Sequence, residues 1–65
     1  MNKMIKQLEK ALEIINDVDD EVNARFHTAR DKKNKNVQQV LCKTVFRLIM
    51  KTKETIDTFK EVNNG

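Results

Sequence analysis

Four carboxylates lie within five positions in the first half of this chain: Asp17, Asp19, Asp20 and Glu21. Helical bundles bind divalent metals through Glu-x-x-His or Glu-x-x-Glu repeats on facing helices, and the second half of the chain offers no matching acids on its inner face. We therefore expect no metal or other cofactor. Asp19 falls on an apolar row, where it is expected to form a polar layer with Thr52 that disfavours shifted helix pairings. A metal or acid–base role, or rotation of Asp19 into solvent, are the alternatives.

Two further side chains could do chemistry, His27 and Cys42, but neither has a suitable partner in the sequence. His27 is expected to be an exposed histidine at a helix end, where its positive form suits the helix dipole. Cys42 is expected to act as a small apolar group. The chain has no nucleophile–base pair and no glycine-rich phosphate loop, so the sequence predicts that the protein is not an enzyme.

Basic residues form two sets, one around the expected turn and one in a row on the outer face of the second helix. The turn set is Arg25, Arg30, Lys32, Lys33 and Lys35, and the row is Lys43, Arg47 and Lys51. Lysine and arginine on one surface can follow a phosphate backbone, which makes RNA or DNA a candidate partner. Glu54 and Glu61 interrupt the basic face, and a solvated charged surface is the alternative.

Two amphipathic helices must position these groups, because apolar residues recur at intervals of three and four. The first row is Ile5, Leu8, Leu12, Ile15, Asp19, Val22, Phe26 and Ala29, and the second is Leu41, Val45, Leu48, Thr52, Ile56 and Phe59. The pattern predicts helices at about 2–30 and 36–62, joined by a basic turn at about 31–35. Asn36 to Gln39 fits a capping box at the start of the second helix.

The apolar row of the first half does not continue in phase into the second half. One unbroken helix would therefore expose the second row, whereas an antiparallel hairpin lets the two rows face each other. We expect a single all-α hairpin domain spanning 1–65. Residues whose numbers sum to about 70 should then lie opposite each other, which pairs Asp19 with Thr52.

The second helix carries more apolar residues than one partner helix can cover. Cys42, Phe46, Ile49 and Met50 widen its apolar arc beyond the row, and these four residues are the predicted interface, with Phe46 and Met50 as anchors. A chain of this size rarely buries enough surface by itself. We expect the hairpin to self-associate, as a dimer that forms a four-helix bundle, and a different protein could also occupy this surface.

Composition limits the class of protein. The chain is 38% hydrophobic and 35% charged, with no proline, a net charge of +3 and one cysteine. It has no apolar run of membrane-spanning length. A single unpaired cysteine is typical of a cytosolic protein, so a cytoplasmic protein is expected. Lysine and asparagine are abundant, as in A+T-rich phage or bacterial genomes. The predicted function is that of a small regulator, adaptor or inhibitor acting through protein contacts, and the alternative is a regulatory dimer that binds nucleic acid.

Overall fold

The computed structural model describes residues 2–64, which form two antiparallel helices. α1 spans Asn2–Thr28 and α2 spans Lys32–Asn64. The hairpin measures 50 × 14 × 11 Å, and its length is that of the 33-residue α2 at about 1.5 Å per residue. The expectation of an all-α helical hairpin is confirmed.

The first helix ends slightly earlier than predicted, at Thr28 rather than at about residue 30. The Ala29 amide donates to the Arg25 carbonyl at 3.0 Å, and the Thr28 hydroxyl donates to the Ala24 carbonyl at 3.1 Å. The connection to α2 is therefore residues 29–31. No residue between 2 and 64 has a positive φ, so this turn requires no glycine.

The second helix begins four residues before the predicted start, and the prediction of a basic turn at 31–35 is wrong. Asp31 is the N-cap, since its Oδ2 accepts a hydrogen bond from the Asn34 amide at 3.3 Å. Lysine is a good helix former, so the residues after Asp31 join the helix. Asn36 consequently lies inside α2 and does not start a capping box.

Two hydrogen bonds between the helices define their register. The Cys42 thiol donates to Asn23 Oδ1 at 3.5 Å, and Asn63 Nδ2 donates to Asn2 Oδ1 at 3.1 Å. The residue numbers of these two pairs sum to 65, and those of the Lys60–Glu9 ion pair sum to 69. All three sums are below the predicted 70, because the turn lies closer to the N-terminus than predicted. Asp19 is therefore level with residues 46–50 of α2.

Isoleucines form the core of the hairpin. In the part of the chain that the structure describes, Ile5, Ile49 and Ile56 are the buried hydrophobic residues. Leu41 and Leu48 were expected to face α1, but both are exposed. Adjacent residues differ by about 100° around a helix, so α2 is rotated to direct Ile49 toward α1 instead of Leu48.

Candidate interaction surfaces

One broad side of the hairpin, here called the apolar face, carries a row of uncharged, mainly apolar residues from each helix. Its members are Met4, Ala11, Val18 and Val22 of α1 and Val37, Leu41, Thr44, Leu48, Thr55 and Val62 of α2. Residues seven apart lie on nearly the same side of a helix, and this spacing links Leu41, Leu48, Thr55 and Val62. The large exposed hydrophobic side chains of the face are between 42% (Leu41) and 60% (Val62) accessible.

A cleft between the helices shows that the two rows lie on the same side of the molecule. Met4 and Leu8 of α1 line this cleft together with Phe59 of α2. Phe59 is four residues from Thr55 and three from Val62, so it borders the row on α2. The row on α1 and the row on α2 therefore form a single surface.

The opposite broad side is charged, and a second cleft lies between the helices there. Its polar lining residues are Glu9, Glu13, Asn16, Lys53, Asp57 and Lys60. Lys60 Nζ lies 3.8 Å from Glu9 Oε2 across the helix pair, with both side chains half exposed, so the pair adds little stability. Within residues 2–64, no group of three or more acidic, histidine or cysteine side chains is arranged to hold a metal ion.

Threonine hydroxyls along α2 already have hydrogen-bond partners within the helix. Thr44 Oγ1 donates to the Val40 carbonyl at 2.9 Å, and Thr55 Oγ1 donates to the Lys51 carbonyl at 2.8 Å. Burial of a hydroxyl that has no hydrogen-bond partner costs free energy, but these two hydroxyls donate to carbonyls of their own helix. The threonine positions of the apolar face can therefore be covered without leaving a hydroxyl unpaired.

The four residues predicted as an interface do not lie on one surface. Ile49 is only 6% exposed and belongs to the contact between α1 and α2, so it cannot serve an outward interface. Cys42 is half-buried beside Asn23. Phe46 and Met50 are 59% and 50% exposed, and their spacing of seven from Lys53 and Asp57 puts them toward the charged side.

Asp19 and Thr52 are both half-buried, but they do not form the predicted layer. The Thr52 hydroxyl donates to the Leu48 carbonyl at 2.7 Å, and the Asp19 carbonyl accepts from Asn23 Nδ2 at 2.9 Å. No hydrogen bond joins the Asp19 and Thr52 side chains in the described part of the chain. The register agrees with this difference, since Asp19 lies level with residues 46–50 and not with Thr52.

Phe26 is the centre of a small cluster beside the turn. The His27 ring meets it edge to face, with centroids 5.6 Å apart and an interplanar angle of 69°. Lys35 Nζ lies 5.6 Å from the Phe26 centroid, within the range of a cation–π contact. His27 is exposed in the last turn of α1, as predicted from the sequence.

Three of the eight predicted nucleic-acid contacts have protein partners. Arg25 binds Glu21 at 2.8 Å, Lys51 Nζ lies 3.8 Å from Glu54, and Lys35 contacts Phe26. All eight residues are exposed. The five without such a contact in the described part of the chain are Arg30, Lys32, Lys33, Lys43 and Arg47. The turn set is at one end of the hairpin, whereas the row runs along the side of α2 that faces away from α1.

The sequence analysis did not predict the apolar face, although the spacing of its residues is visible in the sequence. The spacing of seven from Leu41 to Val62 describes a second row beside the one that packs on α1. The expected row combined members of both, since Leu41 and Leu48 belong to the apolar face and Ile56 to the core.

Neither helix, as far as residues 2–64 are described, has the length and apolar character needed to cross a membrane. No protein-family model, no curated protein and no solved structure matches this chain. Inferences about function therefore depend on the surfaces of the hairpin itself.

Proposed function

We propose that this chain is a small non-enzymatic interaction protein, a regulator, adaptor or inhibitor that acts through protein–protein contacts of a self-associating helical hairpin. The observation that carries the proposal is the apolar face. Large exposed apolar patches on small proteins mark sites of association, and this one involves both helices along most of their length.

The small core supports the same proposal. Three isoleucines are buried among the described residues, while ten large hydrophobic side chains are exposed. Burial of apolar area contributes about 25 cal/mol per Å², and a small single core rarely supplies more than about 3–5 kcal/mol. Covering the exposed side chains by association would add stability that the isolated hairpin lacks.

Affinity capture from the native host, divided into nuclease-treated and untreated halves, tests the proposed class of function. We expect the same protein partners in both halves. The Glu13→Lys variant, which is changed on the charged side, should retain these partners. The Val18→Lys variant, which is changed on the apolar face, should lose them. Loss of every partner after nuclease treatment would contradict the proposal.

Nucleic-acid binding is the second candidate, and the charge distribution favours it. Residues 25–35 contain five basic residues and one acidic residue, a formal charge of +4, and Lys43 and Arg47 extend the exposed basic surface along α2. Contacts to phosphates release counterions, so the affinity should fall steeply with salt concentration.

A gel-shift titration with RNA and DNA tests this second function. Arg47→Glu should weaken binding, whereas Lys6→Glu, which changes an exposed lysine outside both basic sets, should have a smaller effect. Neutralising Lys32, Lys33 and Lys35 together should reduce the salt slope. Absence of binding to both nucleic acids at about 50 mM salt would remove this candidate.

A further inference from the structure

The geometry points to a second copy of this chain as the occupant of the apolar face, with the turns of the two hairpins at opposite ends of the dimer. The inference rests on the self-association in the proposed function. It adds the surface that is covered, the partner that covers it and the orientation of that partner.

The hairpin exposes more surface than a compact monomer of the same mass, by about the area that a second copy would cover. The chain exposes 5366 Å², whereas a compact monomer of 7.6 kDa is expected to expose about 4,300 Å². The excess is about 1,100 Å², and a standard interface buries about 800 Å² on each partner. A second hairpin laid along the apolar face would cover an area of this order.

The composition of the apolar face suits contact with an identical face. In a two-fold dimer the same surface of both copies forms the interface. A charged residue near the two-fold axis would therefore lie opposite the identical residue of the partner. The members of the apolar face are uncharged, and their seven-residue spacing is that of helices packed in bundles. The same spacing brings Arg25 after Val18 and Lys51 after Thr44, but Arg25 is paired with Glu21 and Lys51 with Glu54 within their own helices. Thr44 and Thr55 bring satisfied hydroxyls.

The surface around Phe46 and Met50 is less suitable for a second copy. Met50 has Lys43 and Asp57 seven residues before and after it, and Lys53 follows Phe46 at the same spacing. A partner that covered the two apolar side chains would also remove these charges from water. Desolvation of unpaired charges opposes association, so the apolar face is the better interface.

Charge also selects the orientation of the second copy. The turn end, residues 25–35, has a formal charge of +4, whereas the far end, residues 2–13 and 53–64, has five basic and five acidic residues. Turns placed at the same end would bring two +4 clusters together. Turns placed at opposite ends set each cluster beside a neutral end, which removes this repulsion.

Sedimentation equilibrium on three proteins tests which surface is covered. The wild type should be a dimer at micromolar concentration. Leu41→Lys with Leu48→Lys should raise the dimer dissociation constant by about a hundredfold or more, because two central side chains are lost. The matched control, Phe46→Lys with Met50→Lys, should stay within about threefold of the wild type, because it adds the same charge outside the interface.

The outcomes separate the inference from the proposed function. If the Phe46 and Met50 variant dissociates and the Leu41 and Leu48 variant does not, or if both remain dimers, the assignment of the surface is overturned. A wild-type chain that is folded and monomeric at about 100 μM would instead contradict self-association itself, because this concentration is well above the micromolar range in which the dimer is expected. If the lysine pair prevents folding, Leu41→Ser with Leu48→Ser provides the same comparison without added charge.

Spin-label distances test the orientation. A label on Lys33→Cys, in a Cys42→Ala background, marks the turn of each protomer. Opposite turns should give a distance between labels of about 45 Å, since the hairpin is 50 Å long. Turns at the same end should give roughly 20 Å or less, a few helix diameters, and this result would overturn the proposed orientation.

Discussion

Single side chains determine where the helices start and how they face each other. Asp31 caps α2 through the Asn34 amide, so the helix begins ahead of the Asn36 position that resembles a cap in the sequence. Asp19 is a half-buried acidic residue on the apolar row of α1. Both residues make predictions that can be measured one substitution at a time.

Asp31→Ala should lower the free energy of unfolding by about 0.5–2 kcal/mol, because the Asn34 amide loses its acceptor. Asn36→Ala should have little effect or raise stability slightly, because Asn36 is inside α2 and alanine is the better helix former. Urea unfolding followed by circular dichroism measures both. A larger loss for Asn36→Ala than for Asp31→Ala would place the cap where the sequence alone suggests it.

Asp19→Leu should raise the free energy of unfolding by about 1 kcal/mol, since the position is half-buried and a hydrocarbon side chain there removes apolar area from water. Asp20→Leu is the control, because Asp20 is exposed and its replacement brings the same change in helix propensity. Thermal unfolding compares the two variants with the wild type. A marked drop in the melting temperature of Asp19→Leu would indicate a specific role for the carboxylate, such as metal binding.

The sequence predicted two helices and their antiparallel pairing, but not the rotation of α2. Apolar spacing shows that a helix has apolar rows, and α2 has two adjacent ones. Leu48 and Ile49 differ by one position, and only packing against α1 decides that Ile49 is buried while Leu48 is exposed. The register was also beyond the sequence, because it depends on the Asp31 cap and the turn at 29–31.

Ile49→Ala should lower the free energy of unfolding by about 2–5 kcal/mol, because it leaves a cavity between the helices. Val40→Ala is the control: Val40 is 63% exposed, and its truncation should change stability by less than about 0.5 kcal/mol. Urea titration of both variants checks the orientation of α2. Equal losses in the free energy of unfolding for the two variants would contradict the burial of Ile49 against α1.

At the scale of the whole molecule, we expect an elongated hairpin with three buried isoleucines among its described residues to have little stability of its own. Folding and association should therefore be coupled, so that the hairpin is stable mainly where its apolar face is covered. The sequence predicted self-association from the width of the apolar arc of α2. It did not identify the apolar face, because that surface combines residues from both helices and depends on how they pack.

The dependence of thermal stability on protein concentration tests this coupling most directly. Melting of the wild-type chain, followed by circular dichroism between about 1 and 100 μM, should give a melting temperature that rises by about 5 °C for each tenfold increase in concentration. Coupled folding and association of two chains predicts this rise. A cooperative transition at the same temperature across the whole range would show that the hairpin folds as an independent monomer, and would contradict the central claim.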